Sequence, residues 1–219
     1  MNKRIPLTLA AAVLAATATA PAQAELSGNI GVTSNYIWRG MTQTGDEAAV
    51  QGGIDWSNDS GFYLGTWVSD ANANNSYEWD LYGGYTFKAG DVDLDAGLIS
   101  YEYPVDNNYF REIYLNGEWR QFNFGVAYTF DSKDDTTAEF SSGDLYLSVG
   151  ASFEVKPGLG LSITVGNYDF DDAAGDDFTH FQVALSKDDF TFALDKNDRS
   201  GVGEDEIRIS ASWSKSFDL

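Results

Sequence analysis

The stretch Tyr77-Glu78-Trp79-Asp80-Leu81-Tyr82-Gly83-Gly84-Tyr85-Thr86-Phe87 decides the fold. Read two residues at a time, Tyr77, Trp79, Leu81, Gly83, Tyr85 and Phe87 share one face, while Glu78, Asp80, Tyr82, Gly84 and Thr86 share the other. Successive strand side chains point to opposite sides, so this is a strand with one apolar and one polar face. The same period recurs along the chain and predicts about twelve strands, from Leu26–Arg39 at the start to Asp205–Leu219 at the end. No stretch after residue 24 has the length or apolarity of a membrane-spanning helix.

The connections alternate. Longer polar segments such as Gly40–Glu47, Ser132–Asp144 and Asp171–Asp176 take turns with tight ones such as Arg120-Gln121 and Lys156-Pro157-Gly158. That alternation fits an up-and-down meander, with long loops on one rim and short turns on the other. The aromatic residues of the apolar face sort to the two strand ends. Trp56, Phe62, Phe87, Trp119, Phe122, Phe153, Phe190 and Phe217 lie near the short turns; Tyr36, Trp38, Tyr77, Trp79, Tyr109, Tyr128 and Phe130 lie near the long loops. Strand middles are aliphatic, as at Ile30, Ile54, Leu64, Ile113, Val149 and Ile209. Two aromatic girdles around an aliphatic band are expected of a barrel in a bilayer. The fold class is therefore all-β: a closed up-and-down antiparallel transmembrane β-barrel of about twelve strands. Closure leaves no strand edge unpaired in hydrocarbon.

Composition narrows the function. The 219 residues include 34 acidic and 13 basic side chains, for a formal charge of −21. Such a surface excludes nucleic acid as a partner, since phosphate binding needs basic patches. Absence of cysteine removes disulfides, thiol nucleophiles and thiolate metal sites. Met1–Ala24 reads as a cleaved secretory signal peptide: Lys3 and Arg4 lead, a short Ala/Leu/Val/Thr stretch follows, and Ala22-Gln23-Ala24 supplies the small-x-small site. Glu25–Leu219 is then an outer-membrane β-barrel, with both ends on the periplasmic side and the long loops outside. The terminal strand carries Phe217 near its end, similar to the signal read by the barrel-assembly machinery during biogenesis.

Ser34-Asn35-Tyr36-Ile37-Trp38-Arg39-Gly40-Met41-Thr42-Gln43-Thr44 resembles the opening motif of the TorF-like family of porins, and Val183–Leu194 is similar to that family's late hairpin. The resemblance spans the whole chain after the signal. It implies an outer-membrane channel of Gram-negative bacteria and no catalytic residue.

The polar face supplies the expected pore lining: Arg39, Asp55, Glu78, Asp80, Asp93, Asp95, Glu112, Glu118, Asp144, Glu154, Glu206 and Arg208. Twelve strands about 4.8 Å apart and tilted about 40° close at a backbone diameter of roughly 24 Å. Inward side chains reduce this to a narrow pore. No loop looks long enough for a large plug, although Ser132–Asp144 could fold partly inward. Arg39 reads as an ion-paired lumen residue near the outer rim, with a constriction charge as its second reading; the following Gly40 allows a sharp departure into the first loop.

His180 is the sole histidine, so a histidine metal cluster is excluded, and no serine stands in a nucleophile context beside it. The acidic segment from Asp169 to Asp177 has its glycine one position late for a calcium loop, and Ala173 fills a ligand slot. It reads as a solvated acidic loop, with loose bridging of divalent ions to lipopolysaccharide phosphates as its second reading. The function expected is passive diffusion of small cationic or neutral polar solutes, without metal, cofactor or catalysis. Outer-membrane lipids and lipopolysaccharide are the expected surroundings. A closed structural or surface-interaction barrel is the alternative, an outer-membrane lipid hydrolase a weaker one, and a soluble periplasmic sheet protein another.

Overall fold

The computed structural model describes residues 25–71, 76–133, 140–171, 176–200 and 206–219. The expected signal peptide lies outside them, as does Ala173 in the calcium-like segment. The strands are β1 (Glu25–Thr33), β2 (Ile37–Trp38), β3 (Met41–Thr42), β4 (Ala49–Ser57), β5 (Phe62–Ala71), β6 (Ser76–Ala89) and β7 (Val92–Tyr103), then β8 (Asn108–Trp119), β9 (Phe122–Ser132), β10 (Leu145–Lys156), β11 (Leu159–Asp169), β12 (Phe178–Lys187), β13 (Phe190–Asn197) and β14 (Arg208–Asp218). All but β2 and β3 join one closed antiparallel barrel of twelve strands in chain order, and β14 returns to pair with β1. β2 and β3 form a separate two-stranded hairpin.

The alternation of β6 appears directly in its exposure. Glu78 and Asp80 are 2% and 4% exposed, whereas Trp79 between them is 40% exposed. Acids are inside and aromatics outside, the reverse of a water-soluble sheet. Ile30, Ile54, Leu64, Ile113, Val149 and Ile209 form the outward aliphatic belt. Phe62, Phe87, Trp119, Phe122, Phe153, Phe190 and Phe217 ring the short-turn end, and Tyr77, Trp79, Tyr128 and Phe130 ring the other. An apolar exterior this continuous needs a lipid cover. Inside, small residues make room for large ones: Gly65 pairs with Tyr82 and Gly97 with Tyr114, and a Cβ at either glycine would run into the tyrosine ring.

The first strand departs from the sequence reading. It was expected to run to Arg39 and stops at Thr33. The Thr33 hydroxyl donates to the Asn35 carbonyl (2.8 Å) and turns the backbone off the wall. The Asn35 side chain then ties the loop together, donating to Asp46 (2.8 Å) and accepting from the Thr42 hydroxyl (2.7 Å). Arg39 and Gly40 follow with φ of 48° and 81°. Two consecutive left-handed residues make the tight turn that joins two short antiparallel strands. Folded in this way, the first loop lies within the barrel.

Candidate functional site: a latched hairpin in the lumen

Tyr36 and Trp38, expected in the lipid-facing girdle, are 5% exposed and face inward. The strand parity that assigned them to lipid no longer applies once the chain has left the wall at Thr33. No loop was expected to be long enough for a large plug; the first loop is short, yet the bulky side chains of Tyr36, Trp38 and Arg39 carry it into the lumen. Trp38 meets Tyr101 edge-on at 5.5 Å and packs near Phe110, Phe140 and Tyr168. Phe140 belongs to the Ser132–Asp144 segment, which therefore sends one ring inward. Residues 134–139 of that segment lie outside the described residues. The resulting aromatic cluster is dry, with Tyr168 at 0% exposure and Phe178 at 2%.

Arg39 at the hairpin tip carries the strongest polar contacts. Its guanidinium donates two hydrogen bonds of 2.7 Å to the two carboxylate oxygens of Glu112, a side chain 1% exposed. It donates a third, at 3.2 Å, to the Tyr168 hydroxyl. The cation lies 4.1 Å from the centre of the Tyr146 ring and 4.2 Å from that of Trp38. A bidentate, charge-assisted pair in a dry setting is the strong form of this interaction. The sequence reading of Arg39 as an ion-paired lumen residue describes its contacts, but Arg39 is on a hairpin rather than on the wall.

Other bonds sew the hairpin in place. The Tyr36 hydroxyl donates to Glu78 (2.8 Å), and Tyr103 donates to the other oxygen of Glu78 (2.5 Å). Asn197 on β13 donates to the Gly40 carbonyl (2.7 Å). The His180 ring stacks on Tyr146 with centroids 5.8 Å apart, and its Nε2 is 2.8 Å from the Tyr146 hydroxyl. Gly40 sits against the His180 side chain so tightly that a Cβ there has no space.

The expected lining residues divide into groups. Arg39, Glu78, Asp80 and Glu112 gather at the hairpin, and Oδ1 of the buried Asp80 has no hydrogen-bond partner among the described residues. Asp55 accepts from Tyr82, and Asp95 accepts from Tyr63 at 2.6 Å; Tyr63 also bonds Tyr114. Tyr63, Asp95 and Tyr114 are half-buried, below the plug. Asp93 pairs with Lys88 near the short-turn rim, where Glu118 and Glu154 are exposed. Asp144 lies between two loops. It is 1% exposed and accepts from the Ser141 and Asp171 backbones, both at 3.0 Å, which fixes two loops. Glu206 is exposed ahead of β14, and Arg208 bonds Asp46 of the first loop at 2.9 Å. The reading of the sequence missed Tyr101, Tyr103, Tyr146 and Tyr168 as interior groups. Their signal was available: counting by twos from Asp93 through Asp95 reaches Tyr101 and Tyr103 on the inner face.

Comparison with known proteins adds the family. A family model described as "Bacterial protein of unknown function (Gcw_chp)" matches residues 15–196. The chain belongs to the Gcw_chp family. That family does not bear the name of the TorF-like one whose opening motif Ser34–Thr44 resembles. No curated protein matches the sequence. Among solved structures, this chain is similar to "KdgM porin", with TM-score 0.60, 12% identity, and coverage of 87% of this chain and 99% of that one. A second, "KdgM porin in complex with disordered oligogalacturonate", matches with TM-score 0.55 and 9% identity, covering 89% of this chain and 99% of that one. At these identities the likeness is one of fold: the closed twelve-stranded barrel resembles those of the two KdgM porin structures.

Proposed function

We propose that this protein is a diffusion channel of the bacterial outer membrane for small cationic or neutral polar solutes, closed at its loop side by the first-loop hairpin. The observation that carries this reading is the distribution of the obstruction. The first-loop hairpin and the rings packed on it, Phe140 among them, occupy the loop-side half of the lumen, while Tyr63, Asp95 and Tyr114 towards the short turns are only half-buried. A barrel meant only as a wall has no need of a polar interior and a separable stopper. Passage is passive, with width and the acidic lining as the selecting factors. The oligogalacturonate named for the KdgM complex is an acidic saccharide, and the carboxylate-rich lumen here disfavours a ligand of that charge. Met1–Ala24 would direct export, and the long loops would face outward. The likeness of Ser34–Thr44 to the TorF-like motif supports the same reading.

The latch itself favours a second reading, a permanently closed structural barrel. Planar-bilayer recording separates the two. The wild-type protein should give brief, infrequent openings, and replacing Ile37–Thr42 by a short Gly/Ser linker should give steady conductance. A linker variant that inserts and folds but passes no current would establish the closed barrel.

A further inference from the structure

Arg39 is held as a bound ligand would be. Among the described residues, the groups that grip its guanidinium, Trp38 apart, belong to the barrel wall: Glu112 on β8, Tyr146 on β10 and Tyr168 on β11. We infer that this wall patch is a receptor seat for a guanidinium group, and that Arg39 fills it as a tethered stand-in, displaced by a guanidinium-bearing solute entering the channel. The inference rests on the channel reading for its physiological meaning, though not for the seat itself.

Geometry supplies the chemical class. Two carboxylate oxygens at 2.7 Å from two different guanidinium nitrogens match a planar fork, which an ammonium cannot reproduce. The Tyr146 face, 4.1 Å from the guanidinium carbon, adds attraction for a flat cation. The Tyr168 hydroxyl accepts a further N–H. His180, stacked on Tyr146 and within hydrogen-bond distance of its hydroxyl, fixes the ring that forms the floor.

Charge supplies the coupling. Glu78 and Asp80 are buried nearby, and Asp80 Oδ1 has no hydrogen-bond partner among the described residues. Withdrawal of Arg39 would leave the buried Glu112 without its ion partner, which strongly opposes opening. A cation that takes the vacated seat removes that opposition. The hairpin then opens readily only when such a solute is present, so the stopper and the selectivity site are the same place.

The test uses the whole barrel refolded in detergent and in planar bilayers, with agmatine as the guanidinium probe and putrescine as its ammonium counterpart. In Arg39→Ala the seat is empty. Agmatine should raise its thermal midpoint and interrupt its current, with half-saturation about tenfold lower than for putrescine. Arg39→Ala combined with Glu112→Gln should lose that preference. If Arg39→Ala does not refold, Arg39→Lys keeps a cation in place, and agmatine should compete against it at lower concentration than against wild type. Equal response to both probes, or an agmatine response unchanged by Glu112→Gln, overturns the seat. Glu112-dependent stabilisation without current in any variant would keep the seat and defeat the channel reading instead.

Discussion

Arg39 and Glu112 form a pair whose value depends on both partners being present. Removing either leaves a buried group without its counterpart, a loss of about 3–5 kcal/mol where water cannot reach the site. The single variants Arg39→Ala and Glu112→Gln should each destabilise the refolded barrel. The double variant should cost clearly less than their sum, with a coupling of about 1–3 kcal/mol in denaturant titrations. Additive effects would show that the two do not act as a unit. Arg39→Lys should recover only part of the loss, since an ammonium satisfies one carboxylate oxygen at a time. At this scale the sequence was only partly informative. Arg39 stood out as a basic residue among acids, and its pairing could be expected. Which acid it would meet could not, because Glu112 lies 73 residues away and the partner is chosen by where the hairpin folds.

For the strands, alternation was a sufficient guide. β10 shows why: Leu147 and Val149 are 47% and 61% exposed, while Ser148 between them faces the interior. Val149→Arg should destabilise the barrel by about 2–4 kcal/mol if it lies near the bilayer midplane, and Ser148→Arg by much less. Equal shifts in a membrane refolding titration would contradict the face assignment. The same rule failed at one element, the segment after Thr33. Tyr36 and Trp38 obey the period of a lipid-facing strand, yet period alone does not say where a strand ends. The information was held in shorter-range chemistry: the Thr33 and Asn35 side chains that turn the backbone, and the adjacent Arg39-Gly40 pair able to adopt two left-handed conformations.

For the molecule as a whole, the arrangement of charge governs transport once the stopper is withdrawn. Among the expected lining acids, Asp95 and Asp55 flank the lower lumen, and Glu78, Asp80 and Glu112 lie at the stopper itself. In the hairpin-replaced variant the reversal potential in a KCl gradient should show cation preference. Screening should weaken it at high salt. Neutralising Glu78, Asp80, Asp93 and Asp95 together should reduce it more than removing an equal number of loop acids, with most of the effect from the three inner positions, because Asp93 already pairs with Lys88 at the rim. Anion preference, or no change in the quadruple variant, would refute this distribution.

The span of the latch also sets an order in time. The tip of the hairpin meets Glu112, Tyr168 and Asn197 across sequence separations of 73, 129 and 157 residues. Contacts so distant along the chain are slow to form, since large loops must close before they are made. They are set late, after neighbouring strands have zipped together, and their loss speeds unfolding more than it slows folding. Amide exchange at Ile37–Thr42 should accordingly run ahead of exchange in β6–β8, by a route that leaves the barrel standing. The β1–β14 closure joins residues still farther apart along the chain, so the stopper is a late piece to arrive, and the expected exchange pattern makes it the first to leave while the wall stays paired.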